Sequence, residues 1–196
     1  MIYFIYTVDA LGDHGLVCGN GGERIACHNS LRDSLFATDQ AAGLAPKKEF
    51  RALLPGTDLR PTDILIPRWT AGRDTALDVT VIHPFQQATR AREAADPGFS
   101  LRFAYDNKMR GTADLCHQQG IEFVPIVANS VGGWHKEALT QFRKLGSALS
   151  RNTGTEESVC IGQIITKSSL LLQKGLSALI LNRSPNLPPA AISGSM

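Results

Sequence analysis

Between Glu23 and Ala42 the apolar residues Ile25, Leu31, Leu35 and Phe36 fall at helical spacing, and Gly43 is a natural stop, so a helix is expected there. Pro46 follows, and Lys47 to Leu54 reads as a strand running into a Pro55-Gly56 turn. Two more strands are expected, Asp63–Pro67 and Ala76–Ile82, joined by a turn over Thr70–Asp74. The second is rich in β-branched residues, as a central strand is, and Pro84 ends it. Residues 86–119 carry a helical pattern that breaks near Asp96-Pro97-Gly98 and closes at Gly120. Ile121–Val127 is a further strand. A Gly132-Gly133-Trp134 turn leads into a helix at about 135–149. Asn152-Thr153-Gly154 separates it from a last helix at about 156–181. Residues 1–22 read as irregular, ending in Gly19-Asn20-Gly21-Gly22, and the proline-bearing stretch from Ser184 reads as a disordered tail.

The order helix, three strands, helix, strand, helix, helix fits an α/β layer structure: a small sheet with helices packed around it. The stretch between the strands at 76 and 121 suits a helical crossover. With 196 residues, 43% hydrophobic and 19% charged, the chain has the composition of a soluble globular protein with one sizeable core. The apolar runs are too short to span a bilayer, and the start, Met1 to Val8, does not read as a signal peptide. Lys and Arg total 20 against 18 Asp and Glu, a formal charge of +2. That excludes a histone-like tail but not a nucleic-acid enzyme with locally clustered charge. Cys18, Cys27, Cys116 and Cys160 form no Cys-x-x-Cys pair. A reducing, intracellular compartment is expected, with Cys116 and Cys160 as small buried hydrophobes.

The candidate chemistry lies in Arg60-Pro61-Thr62-Asp63 and, fourteen residues on, Asp78-Val79-Thr80. If the strands at 63–67 and 76–82 pair as a hairpin, two carboxylates from adjacent strands converge. Hard divalent cations such as Mg²⁺ take oxygen ligands and keep several waters, so two carboxylates suffice. Asp78 sits inside Ala-Leu-Asp-Val-Thr-Val, where a charge is costly unless paired or metal-bound. Lys108, on the following helix, is placed to bring an ammonium to the metal side. Glu49 is a fourth candidate, orienting a metal-bound water, or else a surface salt-bridge partner of the lysines beside it.

These residues, taken in order, resemble the PD-(D/E)xK nuclease superfamily, whose core order is αβββαβ. They look most like the restriction-like endonuclease domain that follows the reverse transcriptase in site-specific non-LTR retrotransposons and related proteins. The resemblance runs over about 9–183. It rests on Gly12-Asp13-His14 with Cys18, Arg24, His28-Asn29, Arg60-Pro61-Thr62-Asp63, Leu77-Asp78-Val79-Thr80-Val81, Lys108, Cys116, Gly120–Pro125 and Gly132-Gly133-Trp134. It implies that Asp63 and Asp78 hold Mg²⁺ or Mn²⁺ and that Lys108 serves catalysis. Thr80 stands where the simplest superfamily motif has its lysine. Gly111-Thr112 stands where the retrotransposon group commonly has a Lys-Tyr pair.

The resemblance also implies a zinc knuckle, of which His14 and Cys18 remain. Its upstream cysteine pair is absent from residues 1–8, so structural zinc, which wants four ligands, is not expected. His83, His117 and His135 read as surface residues, and Trp69 and Trp134 as packing groups. For the implied partner, double-stranded DNA, the candidate contacts are Arg60, Arg68, Arg73 and Lys47, with RNA a partner only through a parent retroelement. The expected organisation is a truncated knuckle at 1–22, a restriction-endonuclease-like core at 23–150, a helical extension at 151–183 and a tail at 184–196. The expected function is metal-dependent DNA nicking, in a nucleus if the source is eukaryotic, by an active domain or a relic of one. The alternatives are a non-catalytic nucleic-acid-binding or structural module, and a repair nuclease acting on branched DNA.

Overall fold

The computed structural model describes residues 22–49 and 62–181. The expectations for 1–21, for most of the segment after Glu49 and for the tail fall outside them; so do His14, Cys18 and Arg60. Helix α1 (Gly22–Ala41) leads to a two-residue strand β1 (Lys47–Lys48), then to β2 (Ile64–Thr70) and β3 (Arg73–Ile82). A short helix α2 (Arg90–Ala95) and the long α3 (Phe99–Gln118) follow. Then come β4 (Glu122–Asn129), α4 (Lys136–Thr153) and α5 (Glu157–Leu181). The architecture is α/β, a small four-stranded mixed sheet flanked by helices, in strand order β1-β2-β3-β4. The first two pairings are antiparallel and β3–β4 is parallel, joined through α2 and α3 as parallel strands require.

Strand parity divides the core between two faces. Ile64 and Ile66, Leu77 and Val79, and Val124 and Ile126 pack with α1, α4 and α5, around Leu31, Phe142 and Leu172. Leu65, Ala76 and Phe123 point the other way and pack with Cys116 and Ile121 in a smaller cluster that Met109 and Ala113 of α3 join. Asp78 has the parity of Ala76, which directs it to the α3 side.

Local chemistry sets the boundaries. Strand β2 runs past Pro67 because β1 pairs only with Ile64 and Leu65, so the missing N–H of Pro67 falls beyond that partner. The β2–β3 register is irregular between Ile66 and Thr70, and Arg68 takes a positive φ of 53° in that stretch. Pro97-Gly98 splits the expected 86–119 helix in two: the left-handed Gly98 (φ 84°) precedes α3, and Glu93 accepts hydrogen bonds from the Gly98 and Ser100 amides. Helix α4 buries Ala138, Phe142, Leu145 and Ala148, three and four residues apart, as an amphipathic helix does. Helix α5 lies close enough to its neighbours that only hydrogen fits at two contacts. A Cβ on Gly146 would lie 2.4 Å from Ile161 Cγ1, and one on Gly175 would lie 2.5 Å from Cys27 Cβ. No described helix is long and apolar enough to cross a membrane.

Two surface expectations are corrected. His83 is buried, with Nδ1 2.6 Å from Ser130 Oγ. His135 is buried as well: it caps the start of α4 and stacks on Tyr105 with ring centroids 4.1 Å apart. Both find partners distant in sequence, which local polarity does not reveal. His117 is exposed, and Cys116 and Cys160 are buried free thiols, as the composition suggested. Trp69 and Trp134 pack into the main core; their indole N–H groups donate to Gln141 and Ser169, each at 3.3 Å.

Candidate active site

The hairpin register places the two aspartates side by side. Ile64 pairs with Leu77, so Asp63, one residue earlier, falls next to Asp78. The Asp63 N–H donates to the Leu77 carbonyl at 2.9 Å, and Asp63 Oδ2 accepts the Val79 N–H at 2.7 Å. The carboxylate thereby serves a backbone amide of β3 beyond the point where β2 pairs with that strand. A second group holds the same oxygen: His28 Nε2, from α1, lies 3.1 Å from Asp63 Oδ2. The other ring nitrogen, Nδ1, is 3.3 Å from Asn29 Oδ1.

Asp78 meets Lys108. The ammonium of this α3 residue lies 2.9 Å from Asp78 Oδ2, and Thr80 Oγ1 donates to the same oxygen at 3.1 Å. The Asp78 side chain is 15% exposed and that of Lys108 40%. Burial pushes the Asp78 carboxyl above the ordinary carboxylate range. The charge and hydrogen bond of Lys108 pull against that rise, the neighbouring Asp63 carboxylate adds to it, and Thr80 opposes it. Two carboxylates therefore lie side by side, Asp78 paired with the Lys108 ammonium and Asp63 with the His28 imidazole.

Beside this pair opens a cavity of about 380 Å³, walled by β3 from Asp78 to Ile82, by His83 just beyond it, and by His28, Lys108 and Ser130. Asp63 does not itself line it, but His28 and Val79, the two donors to its Oδ2, do. Among the described residues no group of three or more His, Cys, Asp and Glu side chains is arranged to hold a metal ion. The donors on hand are thus two carboxylates and a hydroxyl. This hard-oxygen set suits Mg²⁺ or Mn²⁺ with most of its waters retained, and not tetrahedral zinc. The feature that a bound cation would fit is the adjacency of the Asp63 and Asp78 carboxylates, which also have partners within the chain in His28 and Lys108.

The remaining sequence candidates are dispersed. Glu49 is adjacent through its backbone, its N–H donating to the Asp63 carbonyl at 2.9 Å. Its carboxylate is instead paired with Arg32 of α1, which also holds Asp33 at 2.9 Å. Lys47 is exposed on β1 opposite Leu65, on the Asp63 side of the sheet. Arg68 and Arg73 sit at the far end of the hairpin. Arg68 lies five residues along the chain from Asp63, roughly 15 Å at strand rise. Its backbone N–H donates to Asp74, while the Arg73 guanidinium pairs with Glu122 at 2.8 Å.

The residue whose place sequence reasoning missed is His28. Its link to Asp63 joins positions 35 residues apart across two elements, and no local spacing signals it. Compared with known protein-family models and with curated proteins, the chain matches none.

Proposed function

We propose that this protein is a metal-dependent endonuclease domain with a restriction-endonuclease-like αβββαβ core, acting on DNA by phosphodiester hydrolysis. The observation that carries the reading is the meeting of Asp63, Asp78 and Lys108. They come from the residue before β2, a central strand and a crossover helix, and the helix's lysine sits within hydrogen-bond distance of the second carboxylate. Asp63 and Asp78 are the residues to hold Mg²⁺ or Mn²⁺. Such a cation, when bound, supplies Lewis-acid polarisation of a phosphoryl oxygen and a water of lowered pKa. Asp78, anchored by Lys108 and Thr80, fixes one side of the site. Asp63, held by the Val79 amide and His28, fixes the other. Lys108 carries positive charge to the cavity wall, where it offsets negative charge developing on the phosphate. Lys47, and at longer range Arg68 and Arg73, supply the basic approach surface that phosphate binding needs.

A second reading has its own observation. Both carboxylates already have partners within the chain, Lys108 for Asp78 and His28 for Asp63, so the cluster also suits a non-catalytic module that has kept the scaffold of a nuclease. Conversion of supercoiled plasmid to the nicked form, with Mg²⁺ and with EDTA, separates the two. We expect Mg²⁺-dependent nicking, and its loss in Asp78→Ala with the far-ultraviolet circular dichroism spectrum unchanged. Nicking at the wild-type rate by that variant sinks the nuclease reading. Salt-sensitive DNA binding without any nicking selects the module. Preference for junction substrates over linear duplex would indicate a repair-type nuclease.

A further inference from the structure

We infer that His28 is a positioning residue for Asp63 and that it sets the site's affinity for a divalent cation; this rests on the reading of Asp63 and Asp78 as the cation's ligands. A carboxylate is acceptor-only, so the 3.1 Å contact requires His28 Nε2 to carry the proton and donate it. The Val79 N–H donates to the same oxygen at 2.7 Å. Two donors from different elements, one on α1 and one on β3, converge on Oδ2 and fix the carboxylate's rotation. Among the described residues no hydrogen bond engages Oδ1, which leaves it as the oxygen for a cation. The imidazole is itself held: Asn29 lies on its Nδ1 side at 3.3 Å, and the side chain is only 30% exposed. His28 also lines the cavity that holds Asp78 and Lys108. The ring is therefore placed as partners of metal-ligating carboxylates are, donating to the ligand and leaving the cation to it.

The test uses the full chain and three proteins: wild type, His28→Ala and His28→Gln, whose amide keeps an N–H donor. Mn²⁺ affinity is measured by titration calorimetry or paramagnetic resonance, and exchange of the Val79 amide by NMR. Removing a partner of this kind typically costs about 10- to 100-fold in metal affinity. We expect His28→Ala to weaken Mn²⁺ binding by about ten-fold or more and to speed Val79 amide exchange. We expect His28→Gln to recover most of both. In the nicking assay the loss should fall on the Mg²⁺ concentration needed, with KM for DNA little changed. A folded His28→Ala with wild-type Mn²⁺ affinity overturns the inference while leaving the nuclease reading intact. A wild-type protein that binds no Mn²⁺ overturns both at their shared premise. A faster Val79 amide in His28→Ala with Mn²⁺ affinity unchanged assigns His28 to packing alone and overturns the inference.

Discussion

Two aspartates, one half-buried and one fully buried, show how environment decides what a residue is for. Asp78 is half-buried and answered by Lys108 and Thr80, and it borders a cavity. Asp39 is fully buried on α1, among Leu35, Ile66, Leu77, Ile126 and Phe142, and among the described residues neither of its carboxylate oxygens has a hydrogen-bond partner. Burial alone pushes its carboxyl from 3.8 up to about 8. An unpaired carboxylate is far costlier there than a neutral acid. The folded state thus keeps this proton at pH values where the unfolded chain has released it. Stability from this group is present below about pH 4 and is lost as pH rises towards about 8. Urea unfolding at pH 5 and pH 8 should show the protein less stable at the higher pH, by on the order of a few kcal/mol. Asp39→Asn, which cannot ionise, should remove most of that difference. An unchanged pH dependence in the variant would mean that Asp39 ionises freely in the folded state.

At the scale of elements, function rests on how the helices are held against the sheet. Helix α3 carries Lys108 and is anchored on the smaller cluster by Met109, Ala113 and Cys116. Helix α1 carries His28 and is backed by α5, whose close approach depends on Gly175 beside Cys27. Helix α5 is itself set against α4 at Gly146, where an added Cβ would also lie 3.1 Å from the Ile161 backbone nitrogen. Backbone cannot yield as a flexible side-chain tip does, so Gly146→Ala must push the helices apart. We expect a loss of about 1–3 kcal/mol, typical of overpacking, read as a lower thermal midpoint. An unchanged midpoint would show that α5 shifts on α4 without cost.

At the scale of the whole molecule, a net charge of +2 leaves any DNA contact to a few locally placed cations. Arg73 lies at the hairpin tip, and Lys47 lies on the exposed strand β1 toward the Asp63 end of the sheet, nearer the candidate site. Each cation that binds a phosphate releases counterions, so removing one such cation makes the slope of log affinity against log salt shallower by about one. Lys47→Ala should therefore lower that slope by about one, and Arg73→Ala by less. The reverse ranking would place the DNA across the hairpin tip. The order of elements was readable from periodicity, turn residues and β-branched runs, because these act over a few residues. The extension of the hairpin strands to Thr70 and back to Arg73 was not, because continued pairing across an irregular register drew in residues that local signals assign to a turn.

The same division of ranges runs through the site. Local sequence determined that Asp78 would lie within a central strand, that its charge there would demand a partner, and that a lysine-bearing helix would follow. It also led to the expectation of a strand from Asp63 before it; the strand begins one residue later, at Ile64, and leaves Asp63 at its edge. Only the tertiary structure decided the partners. Register placed Asp63 beside Asp78, and the crossover brought Lys108 to 2.9 Å from Asp78. The packing of α1 put His28 on Asp63, and Arg32 drew the Glu49 carboxylate to α1. Propensity and polarity are properties of short windows, whereas these pairings join residues 15 to 35 apart through a packed core, where the cost of an unpaired charge selects which of them meet.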